Sequence, residues 1–95
     1  MSTSLTADYT KLTWQERKAL REAYVAKQGG KCSHCKQLLT SQPSLKVLAK
    51  SINGKLFPTN FFKYPVHLHH DHKTGMTIGA VHNICNAYLW QYLGE

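Results

Sequence analysis

The sequence predicts a small α+β domain held together by a metal. Three observations carry that expectation. The chain has 95 residues, a length at which a hydrophobic core alone is marginal and a disulfide or metal staple is common. Its three cysteines and one histidine fall into two pairs at ligand spacing, Cys32-Ser33-His34-Cys35 and His82-Asn83-Ile84-Cys85. Between and after these pairs the pattern changes from period-two alternation to helical spacing. Hydrophobic residues at 42% and charged residues at 18% are an ordinary balance for a folded chain. No apolar run approaches the ~20 residues of a membrane span. The first residues also lack the basic start and apolar stretch of a secretory signal.

The elements follow in order. Residues 1–10 read as a flexible start, followed by one domain over 11–95. Thr13-Trp14-Gln15-Glu16 is a capping-box pattern, so a helix is expected over about 13–28, stopped by Gly29-Gly30. Leu20 and Tyr24, with Trp14 or Arg17, share one face. Arg17, Lys18 and Arg21 offer charge to a polyanion, although such a helix more often packs and keeps its charges solvated. Gln42-Pro43-Ser44 opens a short helix toward Lys50, and Asn53-Gly54 signals a turn or hairpin. Phe57, Phe61, Phe62 and Tyr64 lie beside Lys55 and Lys63. Aromatics among lysines can stack bases of a single strand, but here they read first as scarce core material. Val66-His67-Leu68-His69 alternates as a strand with His67 and His69 on one side. Thr74-Gly75 turns the chain, and Met76 to Val81 reads as a second strand. Asn83 to Leu93 reads as a helix with Ala87, Trp90 and Leu93 on a stripe, Leu89 beside it and Gly94 as its stop.

Charge is unevenly spread. The net charge is +7, and residues 23–70 hold seven lysines and no acidic residue. An acid-free basic stretch suits a phosphate-bearing partner, since each lysine that neutralises a phosphate releases a counterion. The plainer reading is a surface kept soluble by its charge. Lys46, Lys50, Lys55, Lys63 and Lys73 are the candidate contacts.

An odd cysteine count argues against a complete disulfide framework. A Cys3His site of Cys32, Cys35, His82 and Cys85 uses every cysteine and supplies the four ligands a structural zinc requires. The competing reading is a redox C-x-x-C with one buried thiol. The alternating βα pattern that would surround such a motif is absent. His34 is an alternative ligand or a solvent-facing filler. The second cluster, His67-Leu68-His69-His70-Asp71-His72, holds four of the six histidines inside a patterned segment, unlike a terminal tag.

Taken together, Cys32-Ser33-His34-Cys35, His67-Leu68-His69-His70-Asp71-His72-Lys73-Thr74-Gly75 and His82-Asn83-Ile84-Cys85-Asn86 resemble the HNH nucleases of the ββα-metal (His-Me finger) class. The phage recombination endonuclease VII group shows the nearest pattern. The resemblance covers roughly residues 31–90. It implies a zinc knuckle at 32–35, a ββα-metal core over about 65–93 and a metal-dependent endonuclease. Such an enzyme hydrolyses DNA to 5′-phosphate and 3′-hydroxyl ends, by nicking or by double-strand cleavage. It assigns the catalytic ion to His69 and Asn86 and the general base to His70. His67, Asp71 and His72 are accessory candidates, for phosphate contact or for orienting the loop. It also implies a phage-encoded protein at work in the bacterial host cytoplasm, monomeric, with a dimer as the alternative. Two departures stand out: His69 replaces the family's usual aspartate, and His82 replaces the more frequent cysteine. Since Mg2+ prefers carboxylate oxygen, His69 is expected to shift preference from Mg2+ toward Mn2+, Ni2+ or Co2+. Asn83 and Asn86 both have a plainer reading as helix-start caps. From a different functional class, the alternative is a zinc-knuckle nucleic-acid-binding module without catalysis.

Overall fold

The computed structural model describes residues 5–94. Its elements are α1 (Trp14–Lys27), α2 (Leu45–Leu48), β1 (Val66–His70), β2 (Thr77–His82) and α3 (Asn83–Leu93), with single 3-10 turns at Tyr9–Lys11 and Gly54–Leu56. The class is α+β, as expected, with β1 and β2 paired antiparallel.

Helix α1 begins where its capping box places it. Thr13 accepts from the Glu16 amide, and the Glu16 carboxylate accepts from the Thr13 amide, which satisfies two donors that a helix start leaves open. Gly29 and Gly30 then take φ of +66° and +76°, a region costly for residues with a Cβ, and the chain reverses into the cysteine knuckle. The inward face carries Tyr24, buried, with Leu20 packed beside it. Trp14 lies outside it at 71% exposure, so Arg17 is the residue that completes the face.

The knuckle lies against the sheet. The Cys32 amide donates to the Gln37 carbonyl, and the Ser33 amide donates to Ala80 of β2. Gln28 closes the same corner, donating to the Lys31 and Ala80 carbonyls while its side-chain oxygen accepts from the Ala80 amide. This crowding accounts for Gly79: a Cβ there would lie 2.9 Å from the Gln28 side-chain oxygen and 3.0 Å from Ser33. The core gathers Tyr24, Cys32, Leu39, Val47, Leu68, Ala80, Val81 and Cys85.

Several expectations are corrected. The start of the chain over residues 5–10 belongs to the fold, whereas residues 1–4 lie outside the described residues. The Tyr9 amide donates to Gly75, the Thr77 amide donates to Ala7, and the Ala7 amide donates to the Thr77 hydroxyl. These bonds lay the segment along the free edge of β2. Asn53-Gly54 makes no hairpin. Asn53 caps a 3-10 turn, and its amide donates to Gln91 of α3, so the loop is pinned to a helix. Phe57, Phe61 and Phe62 form a half-buried cluster beside Trp90, outside the buried core. In α3 the buried residues are Cys85, Ala87 and Leu89, while Trp90 and Leu93 are 43% and 52% exposed. Cys85 points into the core, and Leu89, four residues on, follows it on the same helix face, which turns Trp90 outward.

Candidate metal centre and adjoining cleft

The two ligand pairs converge. The ligand atoms of Cys32, Cys35, His82 and Cys85 all lie within 4.8 Å of one another, close enough to hold a metal ion. The knuckle delivers two of them, the end of β2 delivers His82, and the first turn of α3 delivers Cys85. Three of the four are almost wholly buried: Cys32 at 1%, Cys85 at 0% and His82 at 3% exposure.

Hydrogen bonds fix which nitrogen faces the thiols. His82 Nε2 is 2.9 Å from the Leu38 carbonyl and 3.0 Å from that of Ser41. Carbonyls only accept, so Nε2 carries the proton and Nδ1 keeps its lone pair. Nδ1 lies 3.4 Å from Cys35 Sγ and 3.6 Å from Cys85 Sγ. Outer carbonyl partners that orient a histidine are the usual support of a metal ligand. The Cys32 sulfur accepts from the His34 and Cys35 amides. A hydrogen bond from Cys85 is the main cause that holds the Cys32 thiol down to about 4 and pushes that of Cys85 up. His34 leans its ring on Tyr88 at 5.4 Å and is not one of the four.

A cleft of about 320 Å³ opens beside the hairpin. It is lined by His67, His70 and His72, by Asn86 from α3, by Arg17 and Arg21 from α1, and by Tyr9 and Phe61. Asn86 Nδ2 lies 3.1 Å from His67 Nδ1. The His70 ring stacks on Tyr9 with centroids 4.0 Å apart and planes 5° from parallel, and it meets His72 edge-on at 4.9 Å. Arg17 covers Tyr9 at 3.9 Å and donates to its carbonyl. Burial is the main cause that lowers the pKa of His70 below the ordinary 6.5, with the neighbouring His72 adding to it. Burial likewise lowers that of His67. Both rings are therefore biased toward the neutral form.

The structure brings most of the sequence-derived site residues together, with one exchange. His69 is buried at 4% exposure and is not among the cleft-lining residues; the imidazole against Asn86 is that of His67. Asp71 accepts from the amides of Lys73 and Thr74, so it shapes the loop that carries His72. Asn83 is the first residue of α3, with His82 in the cap position. Its side chain donates to the Phe62 and Tyr64 carbonyls and so clamps the strand approach to the helix. Lys46, Lys50, Lys55, Lys63 and Lys73 are all exposed, but the cleft's charge comes from Arg17 and Arg21. Tyr9 escaped the sequence reading because nothing in a short N-terminal stretch marks a ring destined for a histidine far along the chain. No known protein family, curated protein or solved structure matches the chain.

Proposed function

We propose that this chain is a metal-dependent endonuclease of the HNH, ββα-metal kind. It hydrolyses DNA phosphodiester bonds and carries a structural zinc at Cys32, Cys35, His82 and Cys85. The observation that carries this reading is the convergence of His70 and His72 from the hairpin and Asn86 from α3 on one cleft, whose cations, Arg17 and Arg21, come from the distant helix α1. Arg21 can meet phosphodiester oxygens with paired hydrogen bonds, while Arg17, which donates to the Tyr9 carbonyl, adds positive charge to the cleft.

In this reading His70 accepts the proton of the attacking water. Its half-buried ring is biased to the neutral, proton-accepting form and is held in place by Tyr9. His72, edge-on to His70, reaches the phosphate from the loop that Asp71 shapes. An amide oxygen and an imidazole fit a divalent ion that keeps open positions. Asn86 supplies the amide. The resemblance names His69 as the imidazole, while His67 stands beside Asn86 in the fold. A divalent ion at Asn86 would neutralise charge developing on the phosphate and on the leaving oxygen.

The exposed lysines of residues 23–70 favour a second reading, a zinc-knuckle module that binds nucleic acid without cutting it. A plasmid-relaxation assay with EDTA and with Mg2+, Mn2+, Ni2+ and Co2+ separates the two. The enzyme reading expects metal-dependent relaxation or linearisation that His70→Ala abolishes while DNA binding persists. Binding with no cleavage under any ion would leave the module. Comparing His67→Ala with His69→Ala identifies the imidazole that supports the ion.

A further inference from the structure

Next to the cleft lies a second hollow of about 300 Å³, lined by Leu56, Phe57, Pro58, Phe61 and Trp90. It shares Phe61, His72 and Asn86 with the cleft, so the two form one continuous surface. Its walls are rings. Phe57 meets Phe61 at 4.5 Å and Trp90 at 5.5 Å, and Trp90 keeps 43% of its surface open to solvent. These rings are outside the buried core. The hollow's polar members are the two that also face the cleft.

Resting on the nuclease reading, we propose that this aromatic hollow receives an unstacked nucleobase adjoining the phosphate held in the cleft. In a nucleotide the base and its own phosphate are one sugar apart, and adjoining hollows with common walls match that span. Aromatic faces bind any base through its π-face. A base inside an intact duplex must first leave the stack, at a cost that falls for mismatched or single-stranded DNA. The hollow therefore gives the protein a preference for unpaired or mismatched positions, without sequence selectivity.

The test uses the full-length, zinc-loaded His70→Ala protein, with Trp14→Phe so that Trp90 is the reporting indole. The probes are a single-stranded oligonucleotide, a duplex with one central mismatch, and the matched duplex. Single-stranded and mismatched DNA should quench Trp90 emission, whereas matched duplex should quench it far less. Adding Trp90→Leu, which keeps apolar bulk but removes the π-face, should weaken binding to the first two probes about tenfold and leave the matched duplex unchanged. Equal quenching by all three probes, or a Trp90→Leu protein that keeps the discrimination, overturns the proposal. Cleavage is read separately on the protein with His70 intact. Metal-dependent cutting indifferent to Trp90 sinks the hollow and spares the nuclease. Trp90-dependent base binding in a chain that never cuts upholds the hollow and sinks the nuclease.

Discussion

If the Cys3His group holds the proposed zinc, removing the ion should unfold this domain rather than soften it. The four ligands tie together the knuckle, the end of β2 and the start of α3, and three of them are almost wholly buried. Structural zinc sites in small peptides contribute about 10–16 kcal/mol of apparent binding free energy at neutral pH. A domain of 95 residues has a total stability on the order of 5–14 kcal/mol. A zinc bound at this group would therefore contribute as much as the whole margin. Without an ion, three thiols and an imidazole would face one another in the core. Far-ultraviolet circular dichroism should show loss of helix on titration with a zinc chelator and recovery when zinc is returned. Metal analysis should give one zinc per chain. Cys32→Ala and Cys85→Ala should behave as the stripped protein does. A folded, metal-free chain that melts at the same temperature with and without chelator would refute the reasoning.

Other expectations can be checked with the same preparations. Because burial lowers the His70 pKa, more of the ring is neutral at a given pH, so cleavage should rise with pH through a midpoint below 6.5; a pH–rate profile with its limb above that value contradicts the assignment. Tyr9→Ala should lower kcat about ten- to a hundredfold with little change in KM, because a base out of alignment loses rate rather than affinity; Tyr9→Phe, which keeps the stack on His70, should restore it. Gly79→Ala places a Cβ 2.9 Å from Gln28 and 3.0 Å from Ser33 and should cost about 1–3 kcal/mol. That loss would appear as a lower midpoint in thermal melts of the zinc-loaded protein.

What could be read from the sequence follows from which interactions are local. The capping box at Thr13, the glycine stop after α1, the alternation of β1 and the Gly94 cap of α3 are each decided within a few residues, and each stands where its pattern put it. The Cys3His group was legible because ligand chemistry restricts both residue type and spacing. The misses are long-range. Residues 7–9 carry no pattern for an edge-lying segment, and their position is set by bonds to Gly75 and Thr77. Asn53-Gly54 carries a hairpin signal, but Gln91 and Tyr92 of α3 hold that loop through Asn53 and Ser51. Alternation puts His67 and His69 on one side, yet it cannot say which of them meets Asn86. That depends on where α3 lies across the hairpin.

The placement of α3 joins the two halves of the site. Cys85 and Asn86 are consecutive, about 100° apart around a helix, so one enters the metal group while the other faces the cleft. His82 pairs with Val66 and Val81 pairs with His67, so the strand that ends in a candidate metal ligand also fixes the height of the cleft histidine. Asn83, between His82 and Asn86, holds the carbonyls of Phe62 and Tyr64, and Tyr64 lines the cleft. Residues 82–86 therefore couple a buried ligand cluster to an open cleft with almost no intervening structure. It follows that the metal group and the cleft cannot vary independently: a change that shifts His82 or Cys85 moves Asn86 by a comparable distance. On the proposed reading, a ligand variant should therefore lose cleavage through geometry, even when the substituted side chain never touches DNA.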